Sequence, residues 1–290
     1  MKEDKVNSEI KLINLDEVLK TKSPVLNKVL PGFIKSYLKR VVHQDELNYY
    51  IKNHGHLMGI EFIDSVLTEM DVKLETDGLE NIPEKGRCII ASNHPLGGLD
   101  GVALMLVVGR KRPDLVFPVN DILMNVKNLE PLFIPINKHG SNADNIKIIN
   151  ENFASEKLIC YFPFGLVSRK RKGKIEDLEW KTTFITKAKR FKRDIIPTNI
   201  SGRNTNWFYN LSNFRKKLGI KANIEMLYLV DEFSKQKGET LKFYFGKPVS
   251  YKTFDKRYKN DQWAEFMRQY SYKLAQGYKG SFEDFISEIK

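Results

Sequence analysis

The chain has 290 residues, 41% of them hydrophobic and 29% charged, with a formal net charge of +12 at pH 7. That is enough apolar material for one large core and too much for a disordered chain. The longest strongly apolar run, Val102–Val108, falls far short of the roughly 20 residues of a membrane-spanning helix. Two cysteines, and five histidines without ligand-like spacing, argue against a disulfide framework or a structural zinc site.

The excess positive charge calls for an anionic partner: nucleic acid, anionic lipid headgroups, or a phosphate-bearing or acidic carrier. Nucleic acid is set aside, because the chain has no zinc-finger spacing, no aromatic RNP pattern and no helix-turn-helix signature. Residues 1–14 alternate charged and apolar side chains without an apolar h-region. No secretory signal is expected there, and the protein is expected to stay in the cytoplasm.

Residues 24–42 carry apolar side chains at helical spacing, among them Val29, Leu30, Phe33, Ile34, Tyr37, Leu38 and Val41, with Lys28, Lys35, Lys39 and Arg40 between them. Pro31 and Gly32 should split this stretch into two short helices. Its apolar stripe either packs on the protein's own core or lies among lipid headgroups. A further helix is expected over 56–70, then a short strand over 72–75.

From there, apolar strand-like runs alternate with helical segments, the signature of an α/β domain with a mostly parallel central sheet flanked by helices. Strands are expected at 88–92, 115–119, 132–136, 158–162, 195–200, 224–229 and 241–245. Helices are expected at 101–109, 142–153, 178–191 and 207–218, and over 262–289 with a break at 277–280. The chain thus divides into an N-terminal helical, possible membrane-associating extension, residues 1–70, and one α/β domain, residues 71–290.

The stretch Ile89–Leu104, IIASNHPLGGLDGVAL, carries the chemistry. An apolar strand runs into Asn93 and His94, Gly97 and Gly98 follow, and Asp100 stands at the head of an apolar helix. Residues leaving the carboxyl end of a parallel strand line the crevice in which open α/β sheets bind ligands. Histidine is the usual general base and needs a partner to fix its tautomer and stabilise the imidazolium. Asp100 can be that partner, or it can simply cap the helix.

Asn93-His94 followed by Asp100 resembles the first motif of the lysophospholipid (glycerolipid) acyltransferase family, and three further blocks occur in the family's order. Leu132–Ile136, with Phe133, resembles the second. Phe162-Pro163-Phe164-Gly165 with Ser168-Arg169 resembles the third, usually Phe-Pro-Glu-Gly before a Ser-Arg pair. Ile195–Ile200, with Pro197, resembles the fourth.

Two departures accompany the resemblance. Five residues separate His94 from Asp100, where the family usually has four; the two glycines can absorb the extra residue through positive φ. The third-block glutamate is Phe164, and the arginine that often ends the second block is replaced within Ile136-Asn137. The charged acceptor contacts of glycerol-phosphate-type members are therefore missing.

With Ser201-Gly202-Arg203-Asn204 after the fourth block, the chain is most similar to the hemolysin-like branch, which includes enzymes that O-acylate N-(3-hydroxyacyl) amino acids of the ornithine- or glycine-lipid type. The resemblance implies an O-acyltransferase with His94 as base and Asp100 as its orienting carboxylate. Its co-substrate would be acyl-CoA or an acyl carrier protein thioester, with no metal and no other cofactor. Its acceptor would be a lyso-aminolipid, and its place the inner face of the cytoplasmic membrane, peripherally bound to anionic lipid.

The substrate-binding candidates are Asn93, Gly97, Gly98, Phe133, Pro163, Phe164, Gly165, Ser168, Arg169, Pro197, Arg203 and Asn204. Arg203 and Asn204 serve equally well as a turn. Backbone N–H groups at Gly97, Gly98 or Gly165 are candidates for the oxyanion. The basic runs 168–172 and 187–193 read either as anion contacts or as solvated faces, Arg169 being marked for the former by its motif position. The alternatives are a 1-acylglycerol-3-phosphate acyltransferase and an inactive lipid-binding relative.

Overall fold

Strands that are apolar at every position have to be covered on both faces, and Cys88–Ser92 (β2) is buried throughout. The computed structural model describes residues 12–22, 24–120, 124, 126–136 and 142–289. In it β2 lies inside a five-stranded sheet with Lys73–Asp77 (β1), Ile159–Tyr161 (β5), Asp194–Ile200 (β8) and Thr240–Phe245 (β9), in the order β1-β9-β8-β2-β5. Neighbours run parallel except β8 and β9. The expected α/β class with a mostly parallel sheet is what the chain adopts.

Phe117–Asn120 (β3) and Phe133–Ile136 (β4) pair in parallel, and a bridge from Val116 to Ile159 ties them to β5. The edge strand β1, with sequence KLETD, is largely exposed, as a strand covered on one side only should be.

Successive β2 side chains point to opposite faces, and each face has its own helices. Cys88 and Ile90 join Leu99–Gly109 (α6) and Gly59–Glu69 (α5), which contributes Phe62, Ile63, Val66 and Leu67. Ile89 and Ala91 face Asn142–Ala154 (α7), Thr183–Phe191 (α8), Asn260–Leu274 (α11) and Phe282–Glu288 (α12), through side chains such as Phe153, Phe184, Trp263 and Phe282. Helix α6 is buried along nearly its whole length, which its all-round apolar sequence requires.

Toward the N-terminus lie Leu15–Lys22 (α1), Pro24–Val29 (α2), Gly32–Val41 (α3) and Gln44–His54 (α4). Pro31 precedes α3 directly, so the expected split at Pro31-Gly32 occurs. Among the described residues no helix is long and apolar enough to cross a membrane.

Two local expectations fail, and one element is unforeseen. Residues 224–229 form a 3₁₀ turn, Ile224–Tyr228, leading into Leu229–Ser234 (α10). A short apolar run fits either period, and here Glu225 is buried while Ile224 and Leu227 are exposed. The helix expected from 178 begins at Thr183, because Trp180 donates its indole N–H to Asp177 (2.9 Å) and Lys181 N–H bonds Pro163 O (3.1 Å). The basic run after the third block folds as an antiparallel hairpin of Arg169–Arg171 (β6) and Lys174–Glu176 (β7). Lys172 and Gly173 at its tip both have positive φ, as a two-residue hairpin turn demands.

Candidate active site

Strand β2 delivers Asn93 and His94 at its carboxyl end. The Asn93 amide grips the backbone of β8 at both atoms, Nδ2 donating to Ile200 O (2.9 Å) and Oδ1 accepting from Ile200 N (2.7 Å). Asn93 is buried, so it fixes the strand end from which His94 projects.

His94 Nδ1 lies 2.8 Å from Asp100 Oδ2. Asp100 is fully buried in the first turn of α6, where the helix dipole favours a negative charge. It is not the helix cap, a position Gly98 holds. Its carboxylate also accepts Leu96 N–H on Oδ2 and Gly101 N–H on Oδ1, each at 2.9 Å. Burial works against the charge, but the adjacent imidazole and backbone N–H groups outweigh it and hold the Asp100 carboxyl below its ordinary value.

With Nδ1 held by a carboxylate, Nε2 is the nitrogen left for proton transfer. The ring is stacked on Phe162, with centroids 4.0 Å apart and planes at 19°, and Phe117 meets Phe162 edge-on.

Of the two glycines in the loop, only Gly97 takes positive φ (81°); Gly98 has φ −162°. A Cβ on Gly97 would lie 2.4 Å from Val167 Cγ2 and 2.8 Å from Leu229 Cδ2. One glycine thus absorbs the extra residue, and α10 backs the loop. Gly97→Ala should therefore cost about 1–3 kcal/mol for overpacking, with roughly another 1 kcal/mol for the left-handed backbone. Gly101→Ala, inside α6 with 3.6 Å to Phe162 Cε2, should be neutral or stabilising by up to about 1 kcal/mol. Urea unfolding midpoints of the two variants check the pair.

A carboxylate that no motif marks lies on the other side of His94. Asp177, fully buried, accepts the backbone N–H of His94 on Oδ1 (3.2 Å), the Ser168 hydroxyl on Oδ1 (2.6 Å) and the Trp180 indole on Oδ2. Ser168 N–H returns a bond to His94 O (2.8 Å). Burial pushes the Asp177 carboxyl up, while Ser168 and Trp180 pull against the rise. Asp177 and Ser168 thereby lock the third block to the first. In the sequence it is one of three acids, with Glu176 and Glu179, that follow a basic stretch, and nothing there singles it out.

Arg169, expected to reach an anionic substrate group, turns inward. It is buried, donates to Val167 O (2.8 Å) and pairs with Glu225 (3.2 Å), which also takes two bonds from Arg215 (2.7 and 3.0 Å). Phe164, in the family's glutamate position, is buried in the apolar cluster around Trp180 and Phe184, and Pro163 is buried beside it. Phe133 belongs to the opposite cluster, with α5 and α6. Pro197 pairs with Ala91 inside the sheet.

Asn204 is buried and bonds Leu96 O through Nδ2 (3.3 Å), which steadies the His–Asp loop. Arg203 is exposed and bonds Asn206 (2.7 Å). Gly165 N–H is engaged by Phe162 O (3.0 Å) and Gly97 N–H faces the Asp100 carboxylate, which leaves Gly98 among the three oxyanion candidates. The Ile136-Asn137 replacement falls at its second residue outside the described residues. Both cysteines are buried and unbridged on adjoining strands. Burial raises the Cys88 thiol to about 11 and the Cys160 thiol well above its ordinary value, so both are poor nucleophiles.

The sequence profile of the acyltransferase family matches residues 17–280. The chain belongs to the acyltransferase family. Among curated members it is 47% identical to the lyso-glycine lipid O-acyltransferase of Phocaeicola vulgatus over 270 residues, covering 92% of this chain and 97% of that one. It is 46% identical to the enzyme of the same name from Bacteroides thetaiotaomicron over 265 residues, covering 91% and 97%. The fold is similar to that of the 1-acyl-sn-glycerophosphate acyltransferase PlsC from Thermotoga maritima, with TM-score 0.50, 15% identity and coverage of 90% and 95%. That likeness carries the acyltransferase fold alone. The chain is thus an enzyme that transfers acyl groups, and the His94–Asp100 pair stands at the head of a helix buried along nearly its whole length.

Proposed function

We propose that this acyltransferase moves a fatty acyl group from an acyl thioester to the hydroxyl of a lyso-aminolipid of the glycine-lipid type, with His94 as general base. The observation that carries this reading is the 2.8 Å contact between His94 Nδ1 and the buried Asp100 carboxylate, which leaves Nε2 to take the acceptor's proton. The hydroxyl oxygen attacks the thioester carbonyl and forms the new C–O bond. As the C–S bond breaks, the Nε2 proton passes to the departing thiolate, so no covalent acyl-enzyme is needed. Asp100 stabilises the imidazolium in between, and Gly98 N–H is the group we assign to the developing oxyanion.

The acceptor class rests on the names of the two curated relatives and agrees with the placement of Phe164 and Arg169. Where a phosphate-bearing acceptor would be met by charged side chains, one of these residues is apolar and the other is paired with Glu225. The donor is acyl-CoA or an acyl carrier protein thioester, and the site of action is the inner face of the cytoplasmic membrane.

The test is transfer of labelled acyl chains by the purified protein, from each donor, to lyso-glycine lipid and to lysophosphatidic acid in parallel, with products separated by thin-layer chromatography. Product from the aminolipid alone is expected. Product from lysophosphatidic acid alone would overturn the acceptor assignment.

A further inference from the structure

Helix Asn206–Lys217 (α9) is amphipathic in an unusual sense, because its outer face is apolar too. Thr205 caps it, accepting Phe208 N–H (3.3 Å), and it buries Phe208, Tyr209, Ser212 and Arg215. The opposite face bears Trp207, Phe214 and, just past the end, Leu218. These are spaced i, i+7, i+11 and are 47%, 59% and 58% exposed. Beyond it Ile220, Ile224 and Leu227 are exposed as well. Large apolar side chains gathered in this way mark an interaction surface.

The exposed charges along α9 and the turn after it are of one sign. No acidic residue occurs between Asn206 and Asn223, while Lys216, Lys217 and Lys221 are exposed. The face continues onto α3, which also lacks acids and presents Phe33, 74% exposed, and Tyr37. The two halves join where Tyr37 and Tyr228 share a hydrogen bond (2.8 Å) and Trp207 packs edge-on against Tyr228 (4.3 Å). A cleft of about 480 Å³ opens between Tyr37, Arg40, Trp207, Tyr228, Asp231 and Lys235, and its one acid, Asp231, is paired with Lys235 (2.5 Å) and His43 (2.9 Å).

We infer that the face made by α9, residues 218–227 and the outer side of α3 is the surface by which this enzyme docks on an anionic lipid bilayer. The inference rests on the lipid acceptor proposed above and names where that lipid is met. Apolar side chains flanked by lysines, with tryptophan and tyrosine at the margin, suit a headgroup boundary. A second copy of the chain is a poor occupant, since a two-fold contact would bring the same lysines together. The face is also next to the chemistry. Beneath it Val167, Phe208 and Tyr209 form a small cluster with Met226 and Leu229, and Val167 and Leu229 are the side chains against Gly97. One layer of side chains thus separates the face from the loop that joins His94 to Asp100.

Flotation of the full-length protein with phosphatidylglycerol–phosphatidylcholine vesicles tests this, comparing wild type with Phe214→Glu/Leu218→Glu. The double variant should partition at least about tenfold more weakly and turn over vesicle-embedded lyso-glycine lipid correspondingly slowly. It should keep wild-type activity on the same acceptor dispersed in detergent. Lys216→Glu/Lys217→Glu/Lys221→Glu should lose binding to the anionic vesicles while binding to pure phosphatidylcholine changes little. Equal flotation of wild type and both variants would overturn the docking surface. So would a wild-type dimer that the double variant dissolves without any change in flotation, or wild-type binding to an acidic carrier protein but not to vesicles. Failure of wild type on detergent-dispersed acceptor would count against the acceptor assignment, and flotation would still judge the surface.

Discussion

His94→Ala should lower kcat for acyl transfer by roughly 10²–10⁴-fold, the usual contribution of a positioned general base, while leaving the fold intact. The side chain is 16% exposed and stacks on the Phe162 ring, a contact worth about 0.5–1.5 kcal/mol. Its loss also removes the imidazole from the buried Asp100, whose carboxyl keeps the N–H groups of Leu96 and Gly101 and can take up a proton, so the thermal midpoint should fall by several degrees without loss of the folded state. Asp100→Asn should cost kcat roughly 10²-fold or more, because the amide can hold the ring without supplying the charge that stabilises an imidazolium. Asp100→Ala should be destabilising as well, since it leaves the N–H groups of Leu96 and Gly101 without their carboxylate, at about 1–3 kcal/mol for each that stays buried and unpaired. Steady-state kinetics and thermal scans on the three variants separate the chemical roles from the structural one.

Glu225→Ala should be the most destabilising single change away from the His94–Asp100 pair. It would strand the guanidiniums of Arg169 and Arg215, both buried, and removing one partner of a buried ion pair costs about 3–5 kcal/mol. Arg169 follows directly on Ser168, whose backbone and hydroxyl hold His94 O and Asp177. Loss of Glu225 should therefore lower kcat through a loosened third block, although Glu225 does not touch His94.

The pH dependence carries a sign. Burial opposes the charge of Glu225, yet Arg215 and Arg169 hold its carboxyl below the ordinary glutamate value. A depressed carboxyl gives stability that is complete above the unfolded value and is lost as pH falls through the folded one. The advantage of wild type over Glu225→Gln in urea should be full at neutral pH and shrink in acid below about pH 4.

The parts of the site written in contiguous sequence were legible: a fully apolar strand, a histidine at its end, a glycine loop and an acid opening a helix. β2 and α6 carry all of these within Cys88–Gly109, so strand alternation and helix burial fixed the geometry locally. The parts assembled from distant segments were not. Asp177 reaches His94 across 83 positions and Glu225 reaches Arg169 across 56, and nothing in either neighbourhood distinguishes these acids from solvated ones. The hairpin begun by Arg169–Arg171 was not legible because it is defined by backbone signs at Lys172 and Gly173, and Arg169, marked as an anion contact by its motif position, is instead held by Glu225 on another element. Residues 224–229 misled because burial of Glu225, rather than of the apolar side chains, set the local conformation.

The most direct test is mass spectrometry of the lipid product after incubation with a labelled acyl thioester and two acceptors, lyso-glycine lipid and its analogue lacking the hydroxyl. The account predicts a mass gain of one acyl group, as an ester, on the hydroxylated acceptor only, and none with His94→Ala. An acyl gain on the analogue, or an undiminished gain with His94→Ala, would contradict it.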